Sequence, residues 1–530
     1  MGKAVADTST EVAEFKPPQM TQRQIMVVLS GLLLAMLLAV LDQTVVSTAL
    51  WTIVKDLDPA HGITHLSWVI TAYLLTSTAS QPLYGKISDL YGRKRIFMLS
   101  IVFFLIGSAL CGLSQNMTQL ILFRGLQGAG AGGLMSLAMA IMGDMIAPRE
   151  RGKYSGIFTL TFGVGSVLGP LLGGFLTDSH HFLGLTTSWR WVFYINIPIG
   201  LLALVVIEKV LHLPKFRRKH HIDYFGAGLM MAGVSALLLV TEWGGQQYAW
   251  TSPTILGTAA AGIALLGSFL WREAHADEPI LPLHLFKNAV FRVSIPVMFI
   301  LGSALFGSLV YVSMYFQIVN GLSPTAAGLH LVPMTLGMIP TTIIVGQLIS
   351  KRGKYKIFPM IGMACVTIAL AFLGMLTTAT SSGMISLYLF ILGVGLGQVM
   401  QVMTMAVQNS ISPREMGTGT AAVGFFRNLG GAIGSAIFGA ILSSRLTANL
   451  HSNAHALGSG TPNITAIHQL PIAAQHLVFE AFTKATNTVF LAAAATTAVG
   501  FVLALFLKEM RLRSRDDTIV ETQAARQSEI

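Results

Sequence analysis

Charged residues and cysteines are both scarce in this chain of 530 residues. Only 11% of the residues are Asp, Glu, Lys or Arg, whereas 53% are hydrophobic. Soluble chains carry about a quarter charged residues, so the composition excludes an ordinary soluble protein. The two cysteines, Cys111 and Cys365, both lie in apolar segments, so no disulfide framework is implied. The first 24 residues also lack the pattern of a cleavable signal peptide.

The hydrophobic residues are gathered in blocks of about 20, long enough to cross a hydrocarbon core of about 30 Å. The 53 glycines agree with this, because Gly lets transmembrane helices pack closely. We predict about fourteen spans. They are residues 25–49, 66–84, 96–114, 118–142, 152–177, 191–212, 222–243, 254–274, 291–318, 325–349, 357–377, 383–409, 416–443 and 488–508. The predicted fold class is an all-α polytopic protein of the cell membrane.

The net charge is +11, and the basic residues are distributed unevenly among the segments that connect these spans. When the connecting segments are assigned alternately to two sides, nearly all Lys and Arg fall on one side. These residues lie in segments 86–95, 149–153, 215–219, 351–356 and 511–515. The positive-inside rule makes that side the cytoplasm and places both termini there. The excess of basic residues is therefore explained by membrane topology and by attraction to anionic lipids. It does not indicate a nucleic-acid partner.

A basic turn occurs twice between apolar segments. Residues 85–95 read GKISDLYGRKR, and about 260 residues later residues 346–356 read GQLISKRGKYK. Such a repeat indicates a membrane transporter built from two related halves. The predicted order is an N-terminal tail (1–24), a six-helix bundle (25–212), a basic linker (213–221), two additional helices (222–274), a second linker (275–290), a C-terminal six-helix bundle (291–508) with an external loop (444–487), and a C-terminal tail (509–530).

Three ionisable residues are predicted to lie in mid-membrane, namely Asp42, Arg124 and Arg427. Such a residue costs about 2.5–3.5 kcal/mol at a helix centre, so it normally faces a partner or a wet cavity. Desolvation favours the neutral form of a carboxyl group, which makes Asp42 either a protonation site or a counter-charge for a cation. The alternative is a structural acid bonded to Gln43 or Thr44. Arg124 stays charged, so it would tune a nearby acid or hold backbone carbonyls.

The first basic turn combines an acid with a base. Asp89 can pair with Arg93 or with a neighbouring helix, and such a pair would close the cytoplasmic side in one conformation only. The predicted latch comprises Gly85, Asp89, Gly92, Arg93 and Lys94. The alternative interpretation is plain surface charge.

Residues 165–174 read GSVLGPLLGG within the fifth predicted span. Pro170 removes one helix hydrogen bond, and the glycines present a smooth face for close crossing by another helix. A helix of this kind suits sealing and opening against a neighbour. Packing of a kinked helix explains the same residues equally well.

The basic turn, the Arg124 helix and the Gly-Pro-Gly-Gly helix, in this order, resemble motifs of the major facilitator superfamily and of its drug:proton antiporters. The turn resembles the superfamily's loop motif and departs from it at Leu90, where a basic residue is common. ILFRGLQGAGAG resembles the proton-coupling motif and carries Arg124 and Gln127. GSVLGPLLGG resembles the antiporter motif. The residues that match this motif are Gly165, Gly169, Pro170, Gly173 and Gly174.

Further strings are similar to the fourteen-helix EmrB/QacA-type branch. LDQTVVSTAL resembles its first-helix signature through Asp42 and Thr44, although Ser47 and Trp51 stand where that branch usually has Asn and Pro. WRWVFYINIPIG (189–200), PILPLHLF (279–286) and YFQIVNGLSPTAAGLHLVP (315–333) look like the same branch. The resemblance covers roughly residues 25–508 and implies two six-helix bundles plus two extra helices.

The resemblance implies proton-coupled efflux of amphipathic or cationic drugs and dyes by alternating access, driven by the proton gradient without a cofactor. Asp42 and Arg124 would couple the protons. The partners would be small molecules, protons and membrane lipids, with a periplasmic adaptor in a Gram-negative cell. A cavity rich in Met, Phe and Tyr would suit such substrates. Its candidate residues are Tyr73, Gln127, Glu242, Tyr311, Gln317, His330, Gln398, Gln401 and Arg427.

Two other classes of function are weighed against efflux of drugs. A lipid or glycolipid exporter could use the same fold, and the small number of acids within the spans favours it over a cavity selective for cations. A membrane enzyme or receptor is disfavoured, because the sequence presents no nucleophile–base pair, metal-ligand cluster or cofactor motif. We therefore expect no catalytic residues and no metal site.

Overall fold

The computed structural model of the protein describes residues 22–57, 62–146, 148–177, 181–182, 185–186, 188–211, 223–244, 247–276, 279–322, 324–412, 415–451, 472–510 and 512. Most of these residues are helical. An apolar chain in lipid must satisfy its N–H and C=O groups within the segment itself, and a helix does this. The predicted linker 213–221 and most of both predicted tails lie outside the described residues.

The first part of the chain forms seven helices and one small hairpin among the described residues. They are α1 (Gln22–Leu57), α2 (Gly62–Tyr91), α3 (Arg93–Leu113), α4 (Met117–Met145), α5 (Pro148–Thr177), the antiparallel pair β1 (His181–Phe182) and β2 (Leu185–Thr186), α6 (Trp191–Tyr194) and α7 (Asn196–Val210). The predicted span 191–212 is therefore broken at Ile195, where α6 passes into α7.

Two further helices precede the second half. They are α8 (Tyr224–Trp243) and α9 (Pro253–His275). The second half contains a 3₁₀ helix (Leu283–Lys287), α10 (Ala289–Ile318), α11 (Pro324–Leu329), α12 (Val332–Arg352), α13 (Ile357–Leu373), α14 (Ser382–Ser410), α15 (Met416–His451) and α16 (Ile472–Leu505). Eleven helices among the described residues are long and apolar enough to cross a membrane, which confirms the predicted polytopic class. The number of fourteen spans and the sidedness of the termini stay predictions.

The two halves repeat one packing pattern. In the first half α2 and α3 pack on α4, and α1 packs on α5 and α7. In the second half α12 and α13 pack on α14, and α10 packs on α15 and α16. The halves meet through α2 against α15 and through α5 against α12. Each half therefore contributes its second and fifth helices to the interface, which is the arrangement that a two-fold repeat requires.

Each basic turn contains a glycine with positive φ and is bonded to the end of the last helix of its half. Gly92 and Gly353 both have positive φ, 95° and 70°, a conformation that favours glycine. Lys94 Nζ donates to Glu208 O at 2.6 Å, at the end of α7. The Tyr355 backbone N donates to Glu509 Oε1 at 2.8 Å, just beyond α16. In each half the turn between the second and third helices is thus fixed to the end of the last helix.

The two additional helices pack against each other, and α8 also contacts α2 and α15. Asp223 caps α8 by accepting from the Gly226 backbone N at 2.9 Å, and it pairs with Arg272 Nε at 2.9 Å. Buried Glu273 accepts from the backbone N of Ile280 and Leu281 at 3.1 and 2.8 Å. The described part of the predicted linker 275–290 is therefore folded against α9.

Helices extend into both ends of the predicted external loop 444–487, and its position outside the membrane stays a prediction. α15 continues to His451 and α16 begins at Ile472, so helices occupy both ends of that interval. Asn449 Nδ2 donates to Ala481 O at 3.2 Å and ties the two extensions together. Polar residues lower the hydropathy of these turns without stopping the helix, because helix propensity does not require an apolar side chain. Residues 452–471 lie outside the described part of the chain.

The fold predicts the sidedness of the two turns. Arg95 and Arg352 are both exposed, so we expect Arg95→Cys and Arg352→Cys, each without Cys111 and Cys365, to react with an impermeant maleimide only in inside-out vesicles. Tyr248→Cys, between α8 and α9, should react only on intact cells. Labelling of Arg95→Cys and Arg352→Cys from opposite faces would contradict the two-fold arrangement.

Candidate functional site

An ion pair lies in the dry interior of the first half. Asp42, on α1, and Arg124, on α4, are each 1% exposed. Arg124 Nη1 lies 2.5 Å from Asp42 Oδ2. Two predicted mid-membrane charges therefore meet across 82 residues of sequence. Pairing is what allows both to stay in an apolar interior, since an isolated buried charge costs several kcal/mol.

Amide side chains complete the coordination of the Asp42 carboxylate. Gln127 Nε2 donates to Asp42 Oδ1 at 2.7 Å, and Asn196 Nδ2 donates to the same oxygen at 3.1 Å. Asn196 Nδ2 also donates to Ser108 Oγ at 3.0 Å, and Ser108 Oγ donates to Phe193 O at 2.8 Å. Helices α1, α3, α4 and α7 are thereby joined around one carboxylate.

The guanidinium of Arg124 has its own set of partners. Arg124 Nε donates to Val69 O at 3.2 Å, and Nη1 donates to Gln127 Oε1 at 2.9 Å. Its central carbon lies 4.2 Å from the centroid of the Tyr73 ring, a cation–π contact. The guanidinium thus keeps three kinds of partner besides Asp42. These partners remain if the carboxylate loses its charge, but none of them carries a compensating negative charge.

Sequence reasoning found the two charges and missed two of the polar residues around them. Asn196 stands inside the predicted span 191–212, within the motif WRWVFYINIPIG, so a search for amides in apolar spans would have found it. Ser108 gave no signal, because an isolated serine is common in membrane helices. The predicted alternative partner Thr44 bonds elsewhere, since Thr44 Oγ1 donates to Gly165 O at 3.1 Å.

The glycine-rich face of α5 packs directly on the helix that carries Asp42. A Cβ at Gly169 would collide with the Thr44 side chain, and one at Gly165 would collide with Val40. Close approach therefore requires glycine at both positions. Gly173 accepts a hydrogen bond from Thr177 Oγ1. The side-chain surroundings of Pro170 and Gly174 lie outside the described features.

The predicted latch joins the two halves. Asp89 forms an ion pair with Arg93 and accepts from the backbone N of Gly417 and Thr418 at 3.1 and 2.8 Å. Thr418 Oγ1 adds a third bond at 2.8 Å. Asp89, in α2, thus caps the N-terminal end of α15, where a negative charge is stabilised by unpaired N–H groups and the helix dipole.

Close packing and further charges surround the Asp89 cap. Gly85 touches Gly417 and Ala421 so closely that a Cβ would not fit. Arg93 Nε donates to Asp144 Oδ2 at 2.7 Å, which links α3 to α4. These contacts hold the halves together at the end of the molecule that carries the basic turns.

A second contact crosses between the halves at the same end, and the sequence did not indicate it. Arg151 Nη1 donates to Gln408 Oε1 at 3.2 Å, and Gln408 Nε2 donates to Met139 O at 3.2 Å. Arg151 also donates to the backbone carbonyls of Ile146 and Gly143. Helices α4 and α5 are thereby bridged to α14.

A cavity lies between the halves, next to the latch. It has a volume of about 50 Å³ and is bordered by α1, α2 and α4 on one side and by α10, α14 and α15 on the other. Its lining is rich in methionine and amide groups. The lining residues are Met36, Gln81, Met135, Ser136, Met139, Met298, Met400, Gln401, Thr404, Thr420, Val423, Gly424 and Arg427. Drug-sized ligands need cavities of about 300–1,000 Å³, so a ligand of that size would fit this space only when the halves move apart.

Two of the predicted cavity residues, Gln401 and Arg427, line this space. Tyr73 and Gln127 belong to the ion-pair network instead. Tyr311, Gln317, His330 and Gln398 are held within the second half. Their bonds are Tyr311 to Ser435 O at 2.8 Å, Gln317 to Ser313 Oγ at 3.1 Å, His330 to Ala326 O at 2.9 Å and Gln398 to Val394 O at 3.3 Å. The side chain of Glu242 lies outside the described features.

Comparison with known families and sequences identifies related proteins. The family model of the Major Facilitator Superfamily matches residues 32–435. An uncharacterised MFS-type transporter of Mycobacterium tuberculosis is 39% identical over 497 residues, covering 93% of this chain and 70% of that protein. Multidrug transporter protein MdtP of Bacillus subtilis is 40% identical over 409 residues, covering 77% of this chain and 73% of that protein.

Solved structures share the fold at low sequence identity. The proton:xylose symporter XylE, bound to 6-bromo-6-deoxy-D-glucose, aligns with a TM-score of 0.63 and 14% identity, covering 94% of this chain and 99% of that structure. The human organic anion transporter MFSD10 aligns with a TM-score of 0.61 and 16% identity, covering 90% and 99%. Likeness at this level of identity concerns the fold alone.

The buried ion pair predicts an asymmetric effect of mutation on stability. Asp42→Asn leaves the Arg124 charge buried without its carboxylate, so we expect a loss of about 3–5 kcal/mol in the free energy of unfolding. Adding Arg124→Gln should recover part of this loss. The control is Asp56→Asn on the same helix, whose partially exposed pair with Arg190 should contribute less than about 1 kcal/mol. Equal effects in denaturant unfolding of Asp42→Asn and Asp56→Asn would contradict this assignment.

Proposed function

Because the chain belongs to the major facilitator superfamily, we propose that it exports amphipathic drugs and dyes in exchange for protons. It is a multi-pass membrane transporter and not an enzyme. Its fold is that of the superfamily. The names of relatives such as Multidrug resistance protein 3 of Bacillus subtilis, 37% identical over 407 residues, support export of drugs.

The observation that carries the proton part of the proposal is the isolated Asp42–Arg124 pair. Asp42 is a buried acid whose charge is balanced by one guanidinium, at 2.5 Å. One proton on Asp42 removes that balance, weakens the bond to Arg124 and leaves the guanidinium to Val69 O and Gln127. Protonation thus changes which contacts hold α1 against α4, and the carboxylate acts as the proton carrier.

Contacts lead from Asp42 to the interface between the halves. Thr44 follows Asp42 by two residues and packs into the notch at Gly169 of α5. Gly163, which also lies on α5, packs against Thr335 and Ile339 of α12 in the second half. A shift of α1 is therefore passed to α5 and then to α12. Since packed helices move as rigid bodies, a change at Asp42 biases the rocking of one bundle against the other.

The energetics suit export. Each proton that moves down a potential of 100 mV supplies about 2.3 kcal/mol, which supports a substrate gradient of some tens-fold. The conformation described here has Asp42 ion-paired and the halves joined at Asp89. In the proposed cycle, protonation of Asp42 opens the end that carries the basic turns, and loss of the proton closes it again.

The lining of the cavity suits amphipathic substrates. Met36, Met135, Met139, Met298 and Met400 face one space. Methionine has three rotatable bonds and a polarisable sulfur, so a methionine surface adapts to molecules of different shapes. Gln81 and Gln401 provide donors and acceptors beside it. The cavity therefore fits a family of substrates better than one rigid molecule.

Proteoliposome transport tests the proposal. With an imposed pH gradient, we expect wild type to accumulate an amphipathic dye and Asp42→Asn to lose at least about 90% of the gradient-driven rate. Asp56→Asn, an exposed acid on the same helix, is the matched control and should retain its rate. Size-exclusion profiles establish that each variant is folded. Wild-type coupling in folded Asp42→Asn would overturn the assignment of Asp42.

A further inference from the structure

Arg427 presents a positive charge to the cavity, and no acid stands beside it among the described lining residues. It lies on α15, in the second half, and borders the cavity beside Met298 and Gln401. Its Nε and Nη2 donate only long bonds to Asn428 Oδ1, at 3.4 and 3.3 Å. Both exceed the usual N–H···O range of about 2.7–3.2 Å. Within the described segments no carboxylate lies within ion-pair distance of this guanidinium.

Other arginines of the bundle interior have complete partner sets. Arg124 pairs with Asp42, and Arg93 pairs with both Asp89 and Asp144. Arg151 donates to two backbone carbonyls and to Gln408. Arg427 differs because its side chain borders the cavity, and its hydrogen bonds to Asn428 are long. A guanidinium has five donors in a planar fork, so most of its hydrogen-bonding capacity is available to a ligand.

The acids of the interior do not offset this charge. None of the described residues that line the cavity is Asp or Glu. Asp42 is 1% exposed and is already held by Arg124, Gln127 and Asn196. A cationic substrate in the cavity would meet repulsion from Arg427 and no carboxylate from the described part of the lining. An anionic head group would gain a charge-assisted, bidentate contact in surroundings of low dielectric.

We infer that the cavity binds amphipathic organic anions, with Arg427 holding the carboxylate, sulfonate or phosphate head and the methionines holding the apolar body. The resemblance of the sequence to drug:proton antiporters implied cationic drugs among the substrates, whereas the cavity lining selects the opposite charge. This inference rests on the export function proposed above for the occupant of the cavity. It is nevertheless tested by binding, which requires no proton gradient.

The first probe pair isolates the sign of the charge. Fluorescein and rhodamine 6G share a xanthene ring system, but near neutral pH the first is an anion and the second is a cationic ester. Equilibrium binding to the purified protein is measured by fluorescence polarisation. The second pair, NBD-labelled phosphatidylglycerol and NBD-labelled phosphatidylcholine, tests whether the anionic head belongs to a lipid.

The variants separate charge from shape. We expect Arg427→Gln to weaken binding of at least one anionic probe by roughly 10- to 100-fold, since a hydrogen bond to a charged group contributes about 1.5–3 kcal/mol. Arg427→Lys keeps the charge and should lose no more than a few-fold. Arg445→Gln removes an exposed charge from the same helix and should bind like wild type. Binding of rhodamine 6G and of phosphatidylcholine should not fall in any variant.

Each result decides the inference. Dependence of fluorescein binding on Arg427 identifies soluble organic anions, and the same dependence for phosphatidylglycerol identifies a lipid source. If neither anion binds more tightly than its counterpart, or if Arg427→Gln binds both anions with the wild-type Kd, the inference is wrong. Arg427-dependent anion binding without transport under a pH gradient would overturn the export proposal alone. Gradient-driven export of rhodamine 6G, with anion binding independent of Arg427, would overturn only this inference.

Discussion

The ion pair between Asp42 and Arg124 is the constraint on which the first half of this transporter depends. Neither charge could remain alone in an interior that is almost fully excluded from water, because desolvation costs several kcal/mol per ion. The amide groups of Gln127 and Asn196 stabilise the pair by donating hydrogen bonds to the Asp42 carboxylate. Those donors come from α4 and α7, while Asp42 comes from α1. In the proposed cycle, the protonation state of this one carboxylate determines how the three helices are held together.

The same half contains two further features of the proposed cycle, the glycine face of α5 and the Asp89 cap. The glycine face of α5 lets Thr44 of α1 approach closely, and α5 continues the contact to α12 in the second half. Asp89 caps α15 at the end that bears the basic turns. The cavity lies immediately beside this cap, with Gln81 and Gly424 in its wall, each within about two turns of the capped contact. Opening the cap would therefore connect the cavity to that side of the membrane.

The sequence indicated the charged parts of the site well, because charge in an apolar span is costly and therefore conspicuous. Asp42, Arg124 and Asp89 all take part in contacts of the kind expected of them, and the repeated turn marks two halves with one packing pattern. Asn196 was missed because it is neutral and therefore less conspicuous in an apolar span than a charge, although it bonds Asp42 across 154 residues. That none of the described carboxylates faces Arg427 is likewise a property of the folded packing. The extension of α15 to His451 was missed because a fall in hydropathy indicates where a chain leaves the membrane and not where its helix ends.

The most direct test of coupling measures the distance between the two basic turns. Spin labels at Arg95→Cys and Arg352→Cys report one turn from each half, in protein without Cys111 and Cys365. The account predicts that acidification lengthens this distance in wild type, and that Asp42→Asn shows the long distance already at neutral pH, with Asp56→Asn behaving like wild type. A distance that is independent of pH, or an Asp42→Asn protein that keeps the short distance at neutral pH, would contradict the account.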